Sequence, residues 1–540
     1  MASAVPLTET QSAWTPLRQP LFRALWVASV VSNVGTWMQN VGVAWLMTSM
    51  SPTPIMVSLV QVAATLPVFL ASLPAGALAD AVDRRRLLLL TQSWMLAVAT
   101  VLGVLTLAGK ITPYSLLLCT FLMGIGDAMN GPAWAAITPE VVSKGELPAA
   151  LGLNSAGYNV ARAIGPALGG LIVAIFGSGH AFLLNAASFV AVISVLYRWR
   201  RLPRQSMLPA ERVVSAIGTG LRYVRHAPPV RAVLIRTGTF VLGASALWAL
   251  LPLVALRLHH GSLGYGFLLG SMGLGAVCGV GFLPRLRQRM SVDALSATGT
   301  AVFALVMLLA SSQPHPVLLY ASMLFAGFGW LTMMVHLNVA VQIATPFWVR
   351  ARALAVYILV FQGAMALGSL LWGTVAKYRG VPLALDAAGV FMLLGLTVVR
   401  RYPLESAQGL KLDPSSHWPE LSVLSPPEPD HGPVLVTVEY RVDPKDRHQF
   451  AEAMRAVGRS RKRDGALQWG LFRDTADPWR QLEMFMVESW VEHLRQHERT
   501  TVADLEIEMR ARSFHVDQEA PRISHLIFSY EDKNDTEEKS

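Results

Sequence analysis

The chain has 540 residues, enough for several soluble domains, yet 53% of them are hydrophobic and only 15% are charged. Soluble domains carry roughly 25% charge, so a large share of this chain meets a solvent other than water. The formal charge of +10 is spread through short loops between apolar runs instead of being gathered on one face, which excludes a nucleic-acid-binding protein; the two cysteines, Cys119 and Cys278, lie in apolar stretches and exclude a disulfide framework.

A helix needs about 20 apolar residues to cross the hydrocarbon core of a bilayer. Residues 1–20 read as a polar tail, with Arg18 just ahead of the first apolar run. That run, Leu21 to Met47, is too long for a signal-peptide core and leads straight into a second one, so it reads as a retained helix. Spans are predicted over 21–47, 54–79, 87–109, 113–137, 148–176, 180–198, 230–257, 262–284, 291–312, 316–344, 350–376 and 381–399. They divide six plus six, giving bundles over 21–199 and 230–400 on either side of a central loop, 200–229. Within that loop Val213, Val214, Ile217, Leu221 and Val224 recur at helical spacing, which predicts an amphipathic helix over 211–225 lying on the inner membrane surface.

Lys and Arg are unevenly shared between the two sides. Arg84, Arg85, Arg86, Lys144, Arg198, Arg200, Arg285, Arg287, Arg350, Arg352, Arg400 and Arg401 fall on one side, against Lys110, Arg257, Lys377 and Arg379 on the other. The inside-positive bias predicts both termini and the central loop in the cytoplasm, the chain being multi-pass in a bacterial inner (plasma) membrane. The halves also echo one another: Gly76 and Gly281 each precede a basic cluster, as internal repeats of transporters do.

After Tyr402 the composition turns polar. Residues 401–431 read as a Pro- and Ser-rich linker, 432–530 as a soluble α+β domain, and 531–540 as an acidic tail. Within the domain, strands are predicted over 434–442, 466–472, 481–488 and 523–530, and helices over 445–463, 490–499 and 502–510.

Several side chains carry chemistry. Charges in the bilayer cost about 2.5–3.5 kcal/mol or more at a helix centre, so Asp127 on the fourth span and Arg162 on the fifth are functional candidates. The two helices are consecutive and antiparallel, which predicts a paired charge. Asp127 is the better proton carrier, and Arg162, which cannot release a proton, is its partner or an anchor for an anionic substrate; a purely structural ion pair is the competing reading. Asn154, Tyr158 and Arg162 form one polar stripe, and Asn33, Trp37 and Asn40 another. Met334, Asn338, Gln342 and Gln362 complete a predicted substrate cavity, with Trp248, Trp330 and Met333 as a soft wall. His336 is a further proton-relay candidate, weighed against a packing role.

The stretch Gly76-Ala-Leu-Ala-Asp80-Ala-Val-Asp83-Arg84-Arg85-Arg86 resembles the loop signature of the major facilitator superfamily, with Asp83 where the family has its second Gly. The resemblance implies twelve helices in two six-helix bundles over about 21–400, and a cytoplasmic latch in which Asp80, with Arg84 and Arg85, meets the start of the eleventh helix near Arg350 and Arg352. Ala161-Arg162-Ala-Ile-Gly165-Pro166-Ala-Leu-Gly169-Gly170 resembles the Gly-Pro, Gly-Gly motif of exporters in that superfamily. The phrases Asn33–Asn40, Asn185–Phe189, Arg350–Leu354 and Phe361–Ala364 are similar to the enterobactin-exporter, or transmembrane secretion effector, branch. The branch implies export of siderophore-like or drug-like amphipathic molecules by proton antiport. Residues 432–530, through the Trp490–His497 helix and the βαββαβ order, resemble the antibiotic-biosynthesis-monooxygenase family, a ferredoxin-like fold that dimerises. That resemblance leaves a second reading, a membrane-tethered, cofactor-independent monooxygenase, with His493 and His497 as its only reactive candidates. Neither metal nor cofactor is expected. The expected partners are a small molecule, protons and the lipid bilayer.

Overall fold

The computed structural model describes residues 12, 14–143, 145–199, 213–258, 261–312, 315–404, 409, 411–415, 427–428 and 431–528, the side chains of 72–81, 136, 213–217 and 219 excepted. Its helices are α1 (Pro20–Met50), α2 (Pro54–Ala81), α3 (Arg84–Leu107), α4 (Pro113–Val141), α5 (Leu147–Phe176), α6 (Ser178–Arg198), α7 (Val213–His226), α8 (Pro228–Arg257), α9 (Gly261–Arg287), α10 (Val292–Ser311), α11 (Pro316–Ile343), α12 (Phe347–Arg379), α13 (Val381–Leu394) and α14 (Leu396–Arg401). They are followed by β1 (Val434–Arg441), α15 (Arg447–Asp464), β2 (Gln468–Arg473), β3 (Arg480–Val487), α16 (Trp490–Arg499), α17 (Val502–Arg512) and β4 (Arg522–Ile527). The chain divides into two units, one of residues 1–213, 233–339 and 355–405, the other of 214–232, 340–354 and 406–540.

The first unit is all helix. Eleven segments among the described residues are long and apolar enough to cross a membrane, the last running from Val381 to Arg401 over the break at Gly395. Helix α1 has 31 residues, ample length, but falls short in hydropathy because Ser29, Ser32, Asn33, Thr36, Gln39 and Asn40 interrupt it. Local chemistry sets several boundaries. Thr112 and Ser115 form a reciprocal capping box at the start of α4. Gly177 and Gly380 hold positive φ of 84° and 87° at the turns between α5 and α6 and between α12 and α13. In α1, Gly35 packs against α6, where a Cβ would lie 2.5 Å from the Asn185 Oδ1, and Asn185 donates to the Gln39 Oε1 at 2.7 Å. Two phrases singled out in the sequence thus join two helices through one buried hydrogen bond, an interaction of modest net strength in membranes.

The second unit is built on a four-stranded antiparallel sheet in the order β2-β3-β1-β4. Strand β1 alternates buried and half-buried residues along its whole length, so one face, with Val434, Val436, Val438 and Tyr440, points into the core. Helix α15 sets Phe450, Met454 and Val457 against that face, and Gly458 lets Trp469 of β2 lie flat on the helix, where a Cβ would sit 2.6 Å from the indole. A charged network is buried in the same unit. Arg461 bridges Glu483 at 3.3 Å and Glu508 at 2.7 Å, while Arg463 bridges Asp464 and Asp504 at 2.7 Å each.

Of the helix predicted over 211–225, α7 covers Val213 onward; Val224 of its apolar stripe is buried and Leu221 exposed, and the side chains of Val213, Val214 and Ile217 lie outside the described residues. Tyr223, outside that stripe, is 2% exposed. Its ring meets Trp348 edge-on at 5.7 Å, and its hydroxyl donates to the Ala344 carbonyl at 3.3 Å. Protein thus covers Tyr223 on this helix. Two arginines of the sheet domain stack on the same pair of rings, Arg463 over Tyr223 at 5.6 Å and Arg499 over Trp348 at 4.7 Å.

Truncating Phe450, which is fully buried, is expected to cost about 3–5 kcal/mol. Phe450→Ala should therefore lower the denaturation midpoint of the sheet domain in the full chain, followed by proteolytic release of that domain, and leave helix content in the remainder unchanged.

Candidate functional site

A cavity of about 470 Å³ lies within the helical unit, of the size that holds small-molecule ligands. Its walls come from both halves of the sequence: Asn33, Trp37, Asn40, Asp127 and Tyr158 from the first, Trp248, Tyr265, Trp330, Phe361 and Gln362 from the second. Six of the predicted cavity and coupling residues therefore come together here. Asn154 lies in an adjoining recess of about 370 Å³ that shares Asn33, Gln92, Asn130 and Tyr158 with the main cavity. Its amide donates to the Thr138 hydroxyl at 3.1 Å. Met334 and Asn338 do not line either space. Gln342 belongs to the second unit.

Arg162 reaches the aromatic wall. Its guanidinium carbon stands 6.0 Å from the Trp37 ring centre, 5.8 Å from Trp248 and 5.9 Å from Trp330. Each such contact contributes about 0.5–2 kcal/mol, more as water is excluded. One Nη is buried and has no hydrogen-bond partner. The predicted Asp127–Arg162 pair does not form: among the described residues no ion pair joins them, because α5 turns the guanidinium toward the indoles while Asp127 sits on the α4 wall. Sequence reasoning missed further polar lining, Gln61, Gln92, Asn130 and Tyr265, with Gln92 donating to the Asn130 Oδ1 at 3.0 Å. Asn130 carried a signal, its register three residues after Asp127 on α4, whereas Gln61, Gln92 and Tyr265 lie on α2, α3 and α9 and join the wall only once the helices are packed.

The Gly-Pro, Gly-Gly stretch has a packing role on both faces of α5. Toward α1, a Cβ on Gly165 would meet the Trp37 Cβ at 2.5 Å, and one on Gly169 the Met38 Cα at 2.7 Å. Toward α9, a Cβ on Gly170 would lie 2.7 Å from the Ser262 carbonyl oxygen and 2.9 Å from the Gly266 Cα. Pro166 cannot donate to the Arg162 carbonyl, and that oxygen faces Gly273, where a Cβ would be 2.7 Å away. Small residues thus let α5 and α9 touch backbone to backbone over residues 163–170 and 262–273.

Of the expected latch, Gly76 lies in α2, and the side chains of Gly76 and Asp80 lie outside the described residues. Asp83, where the pattern has Gly, caps α3 by accepting from the Arg86 amide at 2.9 Å. Arg84 pairs with Glu140 at 2.8 Å, and Arg85 donates to the carbonyls of Leu196 and Tyr197. In the second unit Arg350 donates to the Thr345 carbonyl at 3.4 Å, and the Arg352 stem packs on Gly220. His336 accepts from the Arg287 Nε at 3.2 Å and bonds the Thr332 carbonyl at 2.7 Å, the packing role weighed above. Three ionisable side chains in spans escaped the sequence: buried Arg236 pairs with Asp293, which also accepts from the Leu404 amide, and Asp386 accepts from Ser311.

The family model for the transmembrane secretion effectors matches residues 11–534. Over about 70% of this chain, the sequence is similar to three curated transporters that it spans almost completely. It is 24% identical to the staphyloferrin A transporter of Staphylococcus aureus, covering 72% of this chain and 98% of that one. It is 26% identical to the multidrug efflux pump Tap of Mycolicibacterium fortuitum, covering 70% and 94%. It is 25% identical to the enterobactin exporter EntS of Escherichia coli, covering 71% and 93%. Among solved structures, a bacterial homolog of the human lysosomal transporter Spinster, inward-facing and unoccupied, matches with a TM-score of 0.53 at 15% identity over 72% of this chain and 98% of that one. A POT family transporter in complex with 5-aminolevulinic acid matches with 0.58 at 13% over 72% and 96%.

The α5–α9 contact is open to direct measurement. A Cβ on Gly270 would stand 3.4 Å from the Ala167 Cβ, close to disulfide geometry. With Cys119 and Cys278 replaced by Ser, the pair Ala167→Cys and Gly270→Cys is expected to crosslink spontaneously on oxidation. Adding Gly170→Leu should abolish that crosslink by forcing the helices apart.

Proposed function

The chain belongs to the transmembrane secretion effector family of major facilitator transporters, and we propose on that premise that it exports amphipathic small molecules carrying an anionic group on an aromatic or apolar body. Arg162 carries this reading. It is a permanent cation, set among Trp37, Trp248 and Trp330 with one N–H unpartnered, and a buried cation of this kind is completed by an anion that accepts the remaining donor. The indoles offer stacking faces to the rest of the ligand. Siderophore-like and drug-like molecules both fit that description, and the names of the relatives, a staphyloferrin A transporter, an enterobactin exporter and a multidrug pump, support the same range.

Transport runs by alternating access in this reading, with α1 as the twelfth span and both termini in the cytoplasm. The α5–α9 contact lies toward the end of α5 that the charge bias assigns to the outside, and the recess around Asn154 opens toward the other end. Such a state receives substrate from the cytoplasm. Asp127, on the cavity wall and free of an ion-pair partner among the described residues, carries the coupling proton. Protonation removes its charge from the cavity and so changes the preferred conformation of the cycle, and antiport is the direction of exchange that the family resemblance suggests. Asp80 latches the cytoplasmic ends, and the ferredoxin-like domain serves as a dimerising or regulatory module. The monooxygenase reading finds no support, since the relatives named above are transporters.

Everted membrane vesicles, energised and challenged with catecholates and lipophilic drugs, test this with a pH-sensitive dye. Wild type is expected to release protons on addition of substrate, and Asp127→Asn to bind substrate without releasing them. Arg162→Lys keeps the charge but loses the planar fork, and is expected to raise the apparent KM for anionic substrates at least tenfold. Proton release that survives Asp127→Asn would remove the coupling role.

A further inference from the structure

The sheet domain brings three histidines to one point. His493 and His497 are four residues apart on α16, one turn of helix, and so share a face. His525 comes from β4, the edge strand beside β1, where it pairs with Val436. One ring nitrogen from each lies within 4.8 Å of the other two. The ring of His493 stands 4.6 Å from that of His497 and 4.8 Å from that of His525.

Two observations go beyond proximity. The Nε2 atoms of His493 and His497 face one another at 3.2 Å. Two nitrogens on one tetrahedral ion, each at about 2.0–2.1 Å from it, stand roughly 3.3 Å apart. The His493 Nδ1 and the His525 Nε2 are buried with no hydrogen-bond partner, an outcome native interiors usually avoid. The Trp490 ring meets His493 at a tilt, 5.6 Å away, and His525 edge-on at 6.1 Å, and walls the cluster on one side. The nearby cation Arg461 is offset by Glu483 and Glu508.

We propose that His493, His497 and His525 bind a divalent first-row transition cation, with Zn²⁺ as the probe. Three imidazoles and no carboxylate or thiolate form a borderline nitrogen site. Three protein ligands leave the fourth tetrahedral position open to water or a small ligand, unlike closed structural zinc sites. The ion ties the second crossover of the domain, α16, to the edge strand β4. The site lies wholly within the sheet domain and is independent of the transport reading.

The test uses the full chain, purified in detergent with a tag free of histidine and stripped with chelator. Calorimetric titration with Zn²⁺ is expected to give one equivalent per chain, and Co²⁺ to develop the visible bands of a four-coordinate nitrogen site. His497→Ala and His525→Ala should each weaken binding at least tenfold, while exposed His448→Ala leaves it unchanged. Melting of the metal-free variants checks that they fold, and only the wild type should melt higher when Zn²⁺ is added. A histidine pair that is merely hydrogen-bonded would give no Co²⁺ bands and no Zn²⁺ uptake, which overturns the proposal. Stoichiometric binding that survives both substitutions overturns it as well.

Discussion

Everything in the helical unit depends on how closely α5 can approach α1 on one side and α9 on the other. In a bilayer the lipid tails are as apolar as any side chain, so helices associate through packing and hydrogen bonds, not through expulsion of water. Gly165 and Gly169 toward α1, and Gly170 with Gly266 and Gly273 in the α5–α9 contact, allow that packing to reach the backbone itself. Pro166 adds a carbonyl freed from its own helix and directs it at the partner. Replace this seam by larger side chains and the cavity loses the frame that brings Trp37 of the first half to Trp248 and Trp330 of the second.

Within that frame, the charge distribution is uneven in an informative way. Arg236 is partnered by Asp293, Arg84 by Glu140 and Asp386 by Ser311. Among the described residues Arg162 and Asp127 have no such ion-pair partner, and both belong to the cavity region. A charge within a membrane span without its complement is expensive, and here a half-buried Arg162 and a cavity-exposed Asp127 stand where a ligand can enter. The sheet domain handles its charges in the opposite manner: Arg461 and Arg463 are each met by two carboxylates, and burial lifts the Asp464 carboxyl to about 6 even beside Arg463.

Much of this was legible in the sequence because the physics was local. Apolar length located the spans, and period-two alternation located β1 and β3 to within a residue or two. Polar stripes at four-residue spacing picked out Asn33, Trp37, Asn40 and Tyr158, since one face of a helix is defined by its own register. Relations between helices were not legible. The rotation of α5 that sends Arg162 to the indoles instead of to Asp127 depends on where the glycine seam seats it. His525 could not be joined to His493 and His497, because a strand about thirty residues away shows no periodicity with a helix. Burial of Tyr223 was not legible either, since Trp348 and Ala344, which cover it, lie more than a hundred residues away in sequence.

One pair of contacts has a mechanical consequence. Arg463 lies on Tyr223 and Arg499 on Trp348, and both arginines project from a single rigid sheet domain. Tyr223 stands in the segment that links the two halves of the chain, and Trp348 at the turn between α11 and α12. Both segments are therefore packed on one folded domain, and unfolding its core would release the two stacked cations together.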